Sequence, residues 1–214
     1  PVAGYLTQES VAGTAVWMAN SSETGYNRTP RTGSFNATLR YSNTDWLFTP
    51  PVILDNTKTY LFTVYARQDG ATSTSATISL SYGAEASAAG MTESILADYG
   101  IVNGEYQEVS GVFSPASSGT YYLGILGYIN GSPWYISIDD ISIIELPDND
   151  FGVLSLTTPG YMNNVSTAHT LTAIVKNNGA TTQSKTVTFK EGANTLGTAV
   201  TKSLATGEKD TVTY

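Results

Sequence analysis

Short segments in which polar and apolar residues alternate run through most of this 214-residue chain. Alternation with a period of two is typical of β-strands, and the three- and four-residue spacing of an amphipathic helix is rare here. The pattern is strongest in five segments, which Gly, Ser, Asn and Pro separate: Lys58–Arg67, Ser75–Tyr82, Glu105–Phe113, Thr120–Tyr128 and Pro133–Leu146. Only Met91–Tyr99 offers an alternative, either a short helix or a loop with an irregular strand. Many short strands joined by turns predict an all-β protein built as a sandwich or jelly roll.

The distribution of charge indicates two domains. Residues 1–146 carry a net charge of −8 together with all the arginines and tryptophans, whereas residues 147–214 are neutral overall. The change falls at a turn-rich segment, Pro147–Asp150, of the kind that joins domains. We therefore predict a first domain over 1–146, a linker at 147–149 and a second domain over 150–214. The second domain has room for about five strands, whereas a complete immunoglobulin-like sandwich has seven, so we expect an incomplete, truncated sandwich.

The composition argues against several classes of function. Lys and Arg are scarce, which argues against a nucleic-acid partner. No apolar run approaches the roughly 20 residues that span a bilayer, so membrane insertion is not expected. The chain has no cysteine, and its one histidine, His169, has no triad motif around it. Nothing in the spacing of the carboxylates selects a pair for glycoside hydrolysis. We expect that the chain is not an enzyme.

Aromatic residues in or beside the predicted loops offer surfaces on which a sugar ring can stack. The candidates for ligand binding are Trp17, Tyr26, Tyr99 and Trp134. Packing in the core or at the ends of strands is the alternative role for such residues in a β-sandwich.

The apolar positions change phase within the last predicted strand of the first domain. They are even-numbered up to Ile138 and odd-numbered from Ile141 onward, and the change falls at Asp139 and Asp140. Such a change predicts a β-bulge, which re-aims side chains. Two adjacent carboxylates in an otherwise apolar strand also need a neutralising partner. A calcium ion would supply it, and so would backbone N–H groups or an arginine.

Two sets of segments resemble known families of bacterial modules. In the first domain they are Tyr5–Trp17, Asp45–Leu54, Lys58–Arg67, Gly119–Ile125 and Ile136–Ile143. In this order they resemble the cleaved adhesin jelly rolls found in gingipain haemagglutinin regions and in secreted Bacteroidetes proteins, and the related choice-of-anchor and MAM-like modules. In the second domain the segments are Asp150–Leu156, Val175–Gly179, Phe189–Gly192 and Leu204–Val212. These resemble the immunoglobulin-like repeat called CARDB.

The resemblance implies both a metal site and a role. The resembled jelly rolls often carry a structural calcium ion that joins the first strand region to the last, which implies Asp140 and Glu9 as ligands, with Asp139 or Asp45 beside them. It also implies a non-catalytic, extracellular adhesion module of a bacterial surface or secreted protein. Such a module would recognise a host-surface protein or a glycan and be joined to other domains. The alternatives are a carbohydrate-binding module that anchors an attached enzyme to polysaccharide, or a structural spacer.

The two ways of neutralising Asp139 and Asp140 predict different responses to calcium. With a bound calcium ion, the melting temperature of the first domain rises on adding calcium and falls on adding EDTA, because a ligand of the folded state stabilises it. With an arginine or backbone partner, the melting temperatures in calcium and in EDTA are equal. Differential scanning calorimetry in the two buffers decides between these outcomes.

Overall fold

The structure is a computed structural model that describes residues 6–70, 75–102, 104–158 and 169–214. Strands account for most of these residues, which confirms the predicted all-β class. Contacts divide the chain into two compact units, Pro1–Glu145 and Leu146–Tyr214. Within the described ranges, no helix is long and apolar enough to cross a membrane.

Eleven strands form in the described part of the first unit. Their bounds are β1 Thr7–Ala12, β2 Met18–Asn20, β3 Asn36–Arg40, β4 Asn43–Phe48, β5 Val52–Leu54, β6 Tyr60–Gln68, β7 Ala76–Gly83, β8 Glu93–Gly100, β9 Gln107–Phe113, β10 Gly119–Ile129 and β11 Tyr135–Glu145.

These strands form two antiparallel sheets of a β-sandwich. The first sheet has the order β1-β4-β10-β7-β8, with β5 also paired to β10, and the second has the order β2-β3-β11-β6-β9. The five segments with the strongest alternation become β6, β7, β9, β10 and β11. Most of Met91–Tyr99 lies in β8, whose pairing with β7 shifts register twice. The irregular strand is therefore the correct alternative for that segment.

Alternation along the strands buries one face of each sheet. On β6, Phe62, Val64 and Ala66 have no exposed surface. They share a buried cluster with Leu123 of β10 and Ile136 of β11, so the two sheets meet through these side chains. Burying one large apolar side chain contributes about 1.5–3 kcal/mol, and a slip of one residue would expose the whole set. The core therefore fixes the register of the strands.

Trp17 belongs to this core and has no exposed surface. Its indole N–H donates a hydrogen bond to the backbone oxygen of Asp45, with a donor–acceptor distance of 2.9 Å. Its ring lies against Gly127 of β10, where an added Cβ would come within 2.5 Å of Trp17 Cζ2. The sequence-based expectation that Trp17 stacks against a ligand is therefore corrected, because the ring offers no free face.

Replacing Gly127 by alanine is expected to destabilise the first unit by about 1–3 kcal/mol, because the new methyl group overpacks against Trp17 and Leu39. Gly119→Ala on the same strand is the matched control. An ideal Cβ there lies 3.6 Å from the nearest atom, on Tyr121, and we expect a change within about 0.5 kcal/mol. Denaturant unfolding followed by tryptophan fluorescence measures both. Equal losses for the two variants would contradict the packing argument.

Five strands form within residues 146–158 and 169–214 of the second unit. Their bounds are β12 Phe151–Thr157, β13 Thr172–Asn177, β14 Thr186–Glu191, β15 Asn194–Val200 and β16 Lys209–Thr213. One sheet has the order β12-β13-β16, and β14 pairs with β15 in the other. Ala173, Val175, Phe189 and Val212 form the buried cluster of this unit. Within these described ranges the unit has five strands, about the number that the sequence predicts, and the truncated immunoglobulin-like sandwich stays a prediction.

The residues predicted to form the linker make hydrogen bonds inside the second unit. The backbone N–H of Ala180 donates to the oxygen of Pro147 at 2.8 Å, and that of Thr181 donates to the oxygen of Asp148 at 3.2 Å. The segment is therefore part of the second unit's own backbone hydrogen bonding.

Candidate functional site

Four aromatic side chains cluster at one place on the first unit. Tyr26 and Trp134 are each about half exposed, and their ring centroids are 5.9 Å apart. Tyr135 lies 5.6 Å from Tyr26, and Tyr41 meets Trp134 edge-on at 4.5 Å. We call Tyr26, Tyr41, Trp134 and Tyr135 the aromatic platform. Two of the four predicted ligand-binding residues, Tyr26 and Trp134, therefore lie together.

The backbone of Trp134 is fixed on both sides. Its N–H donates to the Asp69 carboxylate at 2.7 Å, and its carbonyl oxygen accepts a hydrogen bond from the N–H of Tyr41 at 2.9 Å. Both partners come from distant parts of the sequence, so the position of the indole follows from the fold and not from the local loop alone.

Tyr26 lies in a single 3-10 turn, Gly25–Asn27, in which Tyr26 and Asn27 have φ values of 57° and 56°. This left-handed conformation costs a non-glycine residue about 1–2 kcal/mol. The side-chain amide of Asn27 offsets the cost by donating to the backbone oxygens of Gln68 and Gly104, at 3.0 and 2.6 Å. Unfavourable backbone conformations that persist in this way are concentrated at functional sites.

The loop that carries Tyr26, residues 21–35, is held against the outer face of the second sheet, and we call it the platform loop. The buried Arg67 of β6 donates to the backbone oxygen of Thr29 at 2.6 Å. The hydroxyl of Tyr106 donates to the same oxygen at 3.0 Å and accepts a hydrogen bond from the Asn36 amide. The loop thus supplies hydrogen-bond acceptors for one terminal nitrogen of Arg67 and for the Tyr106 hydroxyl, while Arg67 Nε has no partner among the described residues.

The predicted β-bulge is present and holds the other end of this loop. The pairing of β11 with β6 shifts register between Asp139 and Ser142, and Asp140 has a φ of 47°. The Asp139 carboxylate accepts hydrogen bonds from the backbone N–H groups of Arg31 and Thr32, at 2.6 and 3.2 Å. The Asp140 carboxylate accepts from the Arg31 guanidinium and from the Thr32 hydroxyl. The hydrogen bond from Thr32, and the hydrogen bond and charge of Arg31, lower the pKa of Asp140.

The other two predicted metal ligands have separate partners. The Glu9 carboxylate accepts a hydrogen bond from the backbone N–H of Ala88 at 2.6 Å. Asp45 is fully buried, and one carboxylate oxygen accepts the backbone N–H of Trp17 at 2.6 Å. Its second oxygen has no hydrogen-bond partner among the described residues, and burial raises the pKa of Asp45.

The four predicted metal ligands are not grouped together among the residues that the structure describes. Glu9 and Asp45 lie in the first sheet, whereas Asp139 and Asp140 lie in the second. Across the parts of the chain that the structure describes, no three His, Asp or Glu side chains come close enough to hold a metal ion. Arg31 supplies the positive charge next to Asp140, as in the arginine alternative. Calcium binding stays a prediction for the calorimetric test.

Tyr99, the remaining aromatic candidate, lies on β8 of the first sheet, where it pairs with Ile78 and is 37% exposed. The platform residues Trp134 and Tyr135 lie at the start of β11, in the second sheet. The structure therefore does not bring Tyr99 to the platform.

A pocket of about 360 Å³ adjoins the platform through Tyr135, and we call it the side pocket. Its lining residues are Ala15, Val16, Met18, Ala19, Asn20, Glu23, Arg28, Thr38, Arg40 and Tyr135. The Arg28 guanidinium lies 4.2 Å from the centroid of the Tyr135 ring and 3.2 Å from the Glu23 carboxylate. Sequence reasoning missed Arg40 and Tyr135 as site residues. The alternation along β3 indicates an outward Arg40, but not that Tyr135 is its cross-strand partner.

A second concavity, of about 610 Å³, lies in the second unit. Its walls are mainly apolar and include Val153, Leu156, Leu171, Phe189 and Tyr214. Val153 and Leu156 are each more than half exposed. The half-exposed Tyr214 ring and the polar residues His169, Lys190 and Glu191 also line it.

No protein-family model and no curated protein sequence matches the chain. Among solved structures, it is similar to the K1 cleaved adhesin domain of Lys-gingipain from Porphyromonas gingivalis W83, with a TM-score of 0.50 and 16% identity over 65% of this chain and 89% of that one. The likeness shows the fold, a β-sandwich. A weaker likeness is to TmCBM61 in complex with β-1,4-galactotriose, with a TM-score of 0.48 and 12% identity over 67% of this chain and 90% of that one. The choice-of-anchor, MAM-like and CARDB resemblances stay predictions.

Asp140→Asn is expected to loosen the platform loop and lower the melting temperature of the first unit by roughly 2–4 °C at neutral pH, the scale of one lost charge-assisted hydrogen bond. The folded pKa of Asp140 lies below its unfolded value. Its stabilising contribution is therefore complete above the unfolded pKa, about 3.9, and is lost as the pH falls through the folded pKa.

The difference in melting temperature between wild type and Asp140→Asn should accordingly shrink below about pH 4. Glu145→Gln is the control, because it removes a carboxylate from an exposed ion pair with Lys58 that contributes little. A difference that stays constant from pH 7 to pH 3 would show that the charge of Asp140 does not hold the loop.

Proposed function

We propose that the first unit is a non-catalytic binding module that recognises a saccharide through the aromatic platform. The observation that carries this proposal is the pair of half-exposed rings, Tyr26 and Trp134, whose centroids are 5.9 Å apart. Pyranose rings present apolar C–H faces that stack on such rings, while the Tyr and Trp polar groups are free to meet hydroxyls.

The fixed backbone around the platform supports a role for its exposed rings in ligand recognition. Trp134 is held by Asp69 and Tyr41, and Tyr26 is held by the contacts of Asn27. Rings that are ordered before binding lose little conformational entropy when a ligand stacks on them. A rigid sandwich that presents loops at one end is a common arrangement for binding proteins.

The carboxylates beside the platform support a role without catalysis. Hydrolysis of a glycosidic bond needs one carboxyl group as acid and a second as base or nucleophile, both facing the sugar. Here Glu23 pairs with Arg28, and Asp69 accepts the backbone N–H of Trp134. Both carboxylates therefore have structural partners within the site.

The sequence resemblance and the fold both support a wider setting for this module. The cleaved adhesin type of sandwich supports an extracellular adhesion module of a bacterial surface or secreted protein. In this setting the platform binds a glycan on a host surface or on a polysaccharide to which an attached enzyme is anchored. Recognition of a host protein by the same loops is the second candidate, and the exposed Phe35 and Met18 near them favour it.

Trp134→Ala is expected to weaken saccharide binding roughly tenfold or more, because it removes one stacking face and the edge contact with Tyr41. A glycan array of neutral and acidic saccharides identifies ligands of the full chain, and isothermal titration calorimetry measures the affinities. Trp134→Phe, which keeps a smaller ring, should retain part of the binding.

Tyr99→Ala is the matched control, since Tyr99 is an exposed aromatic of the other sheet and its loss should leave affinity unchanged. Equal weakening by Tyr99→Ala and Trp134→Ala would place the site elsewhere. A different result would favour the host-protein candidate over the saccharide proposal. In that case no glycan of the array binds, and the chain binds host proteins equally well before and after their glycans are removed.

A further inference from the structure

The side pocket and the platform form one continuous surface at the edge of the second sheet. Tyr135 belongs to both, and it pairs across the strands with Arg40 of β3. Residues opposite each other in antiparallel strands place their side chains on the same face. The side chain of Arg40 therefore lies beside Tyr135, and its guanidinium carbon is 5.2 Å from the centroid of the Tyr41 ring.

The charges of the side pocket are only partly balanced. Three charged residues line it, and two of these, Arg28 and Glu23, pair with each other at 3.2 Å. Arg28 also donates to the backbone oxygen of Gly25 at 2.7 Å, so its guanidinium is committed to the loop. Arg40 is exposed and forms no ion pair with any residue that the structure describes. The pocket thus has one uncommitted positive charge.

We propose that the ligand of this module is an acidic saccharide, and that Arg40 binds the carboxylate of one sugar residue in the side pocket while a neighbouring sugar ring stacks on the platform. This inference rests on the proposed function and names its ligand class. A guanidinium matches a carboxylate in shape and charge, with two parallel N–H donors. The volume of about 360 Å³ lies at the small end of ordinary ligand pockets and suits one sugar residue.

The charge balance favours a singly charged group. A phosphate monoester, or a uronic acid that is also sulfated, carries a second negative charge that would lie close to the Glu23 carboxylate, and like-charge repulsion disfavours it. A uronic or sialic acid carries one carboxylate, which the free charge of Arg40 matches. Met18, which is 60% exposed, and Ala15 and Val16 supply apolar surface for the C–H face of the same sugar.

The test uses pairs of saccharides that differ in one charge. Oligogalacturonate is compared with its methyl ester, and sialyllactose with lactose, by isothermal titration calorimetry with the full chain. We expect at least one acidic member to bind roughly tenfold more tightly than its neutral partner, with a preference that declines as sodium chloride is raised. Arg40→Gln should abolish that preference, because it lowers the affinity for the acidic member to the level of its neutral partner.

Lys58→Gln is the matched variant, because it removes one exposed positive charge that pairs with Glu145 and does not line the pocket. Its preference for the acidic member should equal that of the wild type. Thermal melting of both variants checks that each is folded. Polyglutamate serves as a carboxylate source without sugar rings, and we expect it to bind far more weakly than the preferred acidic saccharide.

Each other outcome overturns a distinct statement. Equal affinity for the acidic and neutral members of both pairs, with no effect of Arg40→Gln, removes the acidic ligand and leaves saccharide binding in place. Two outcomes would show that the preference is general charge attraction. In one, Arg40→Gln and Lys58→Gln lower the affinity for the acidic saccharide equally. In the other, polyglutamate binds as tightly as that saccharide. Absence of binding to every saccharide, neutral or acidic, overturns the proposed function itself.

Discussion

Polar contacts between the platform loop and the outer face of the second sheet determine where Tyr26 lies in the aromatic platform. Arg67, Asp139 and Asp140 project from β6 and β11 and each makes hydrogen bonds with backbone or side-chain groups of the loop. A charge that is removed from water without a partner is costly, so these groups favour the loop position in which they are paired. The position of the loop that carries Tyr26 is thus a consequence of polar pairing on the sheet.

The β-bulge makes this pairing possible. Consecutive residues of a regular strand point to opposite faces, so Asp139 and Asp140 would be on different sides of the sheet. The extra residue between Asp139 and Ser142 and the left-handed φ of Asp140 let both carboxylates reach the same loop residues, Arg31 and Thr32. A local irregularity of one strand therefore positions a surface loop more than a hundred residues away in sequence.

The alternating pattern was sufficient to predict the all-β class, the main strands and the bulge, because each depends on which face of a strand is apolar. It was not sufficient to separate Trp17 from Trp134. Both follow loop-like residues, but Trp17 is buried because Gly127, on a strand far away in sequence, leaves room for its ring. The partnership of Arg40 with Tyr135 likewise depends on strand order, which periodicity does not encode. Burial and strand order come from tertiary structure, so the candidate site was predicted only in part.

An arginine and a calcium ion would serve the two carboxylates in different ways. The stabilisation that a bound ion gives the folded state depends on its free concentration relative to its Kd, whereas Arg31 is part of the chain and always present. Its contact is instead sensitive to acid and, being partly exposed, to salt. Arg40 in the side pocket is subject to the same screening. High salt would thus weaken the contacts of the loop and the contacts of the pocket together. The neutral saccharide of each pair distinguishes the two effects. A loosened platform weakens binding of the neutral saccharide, whereas screening of the carboxylate weakens binding of the acidic saccharide alone.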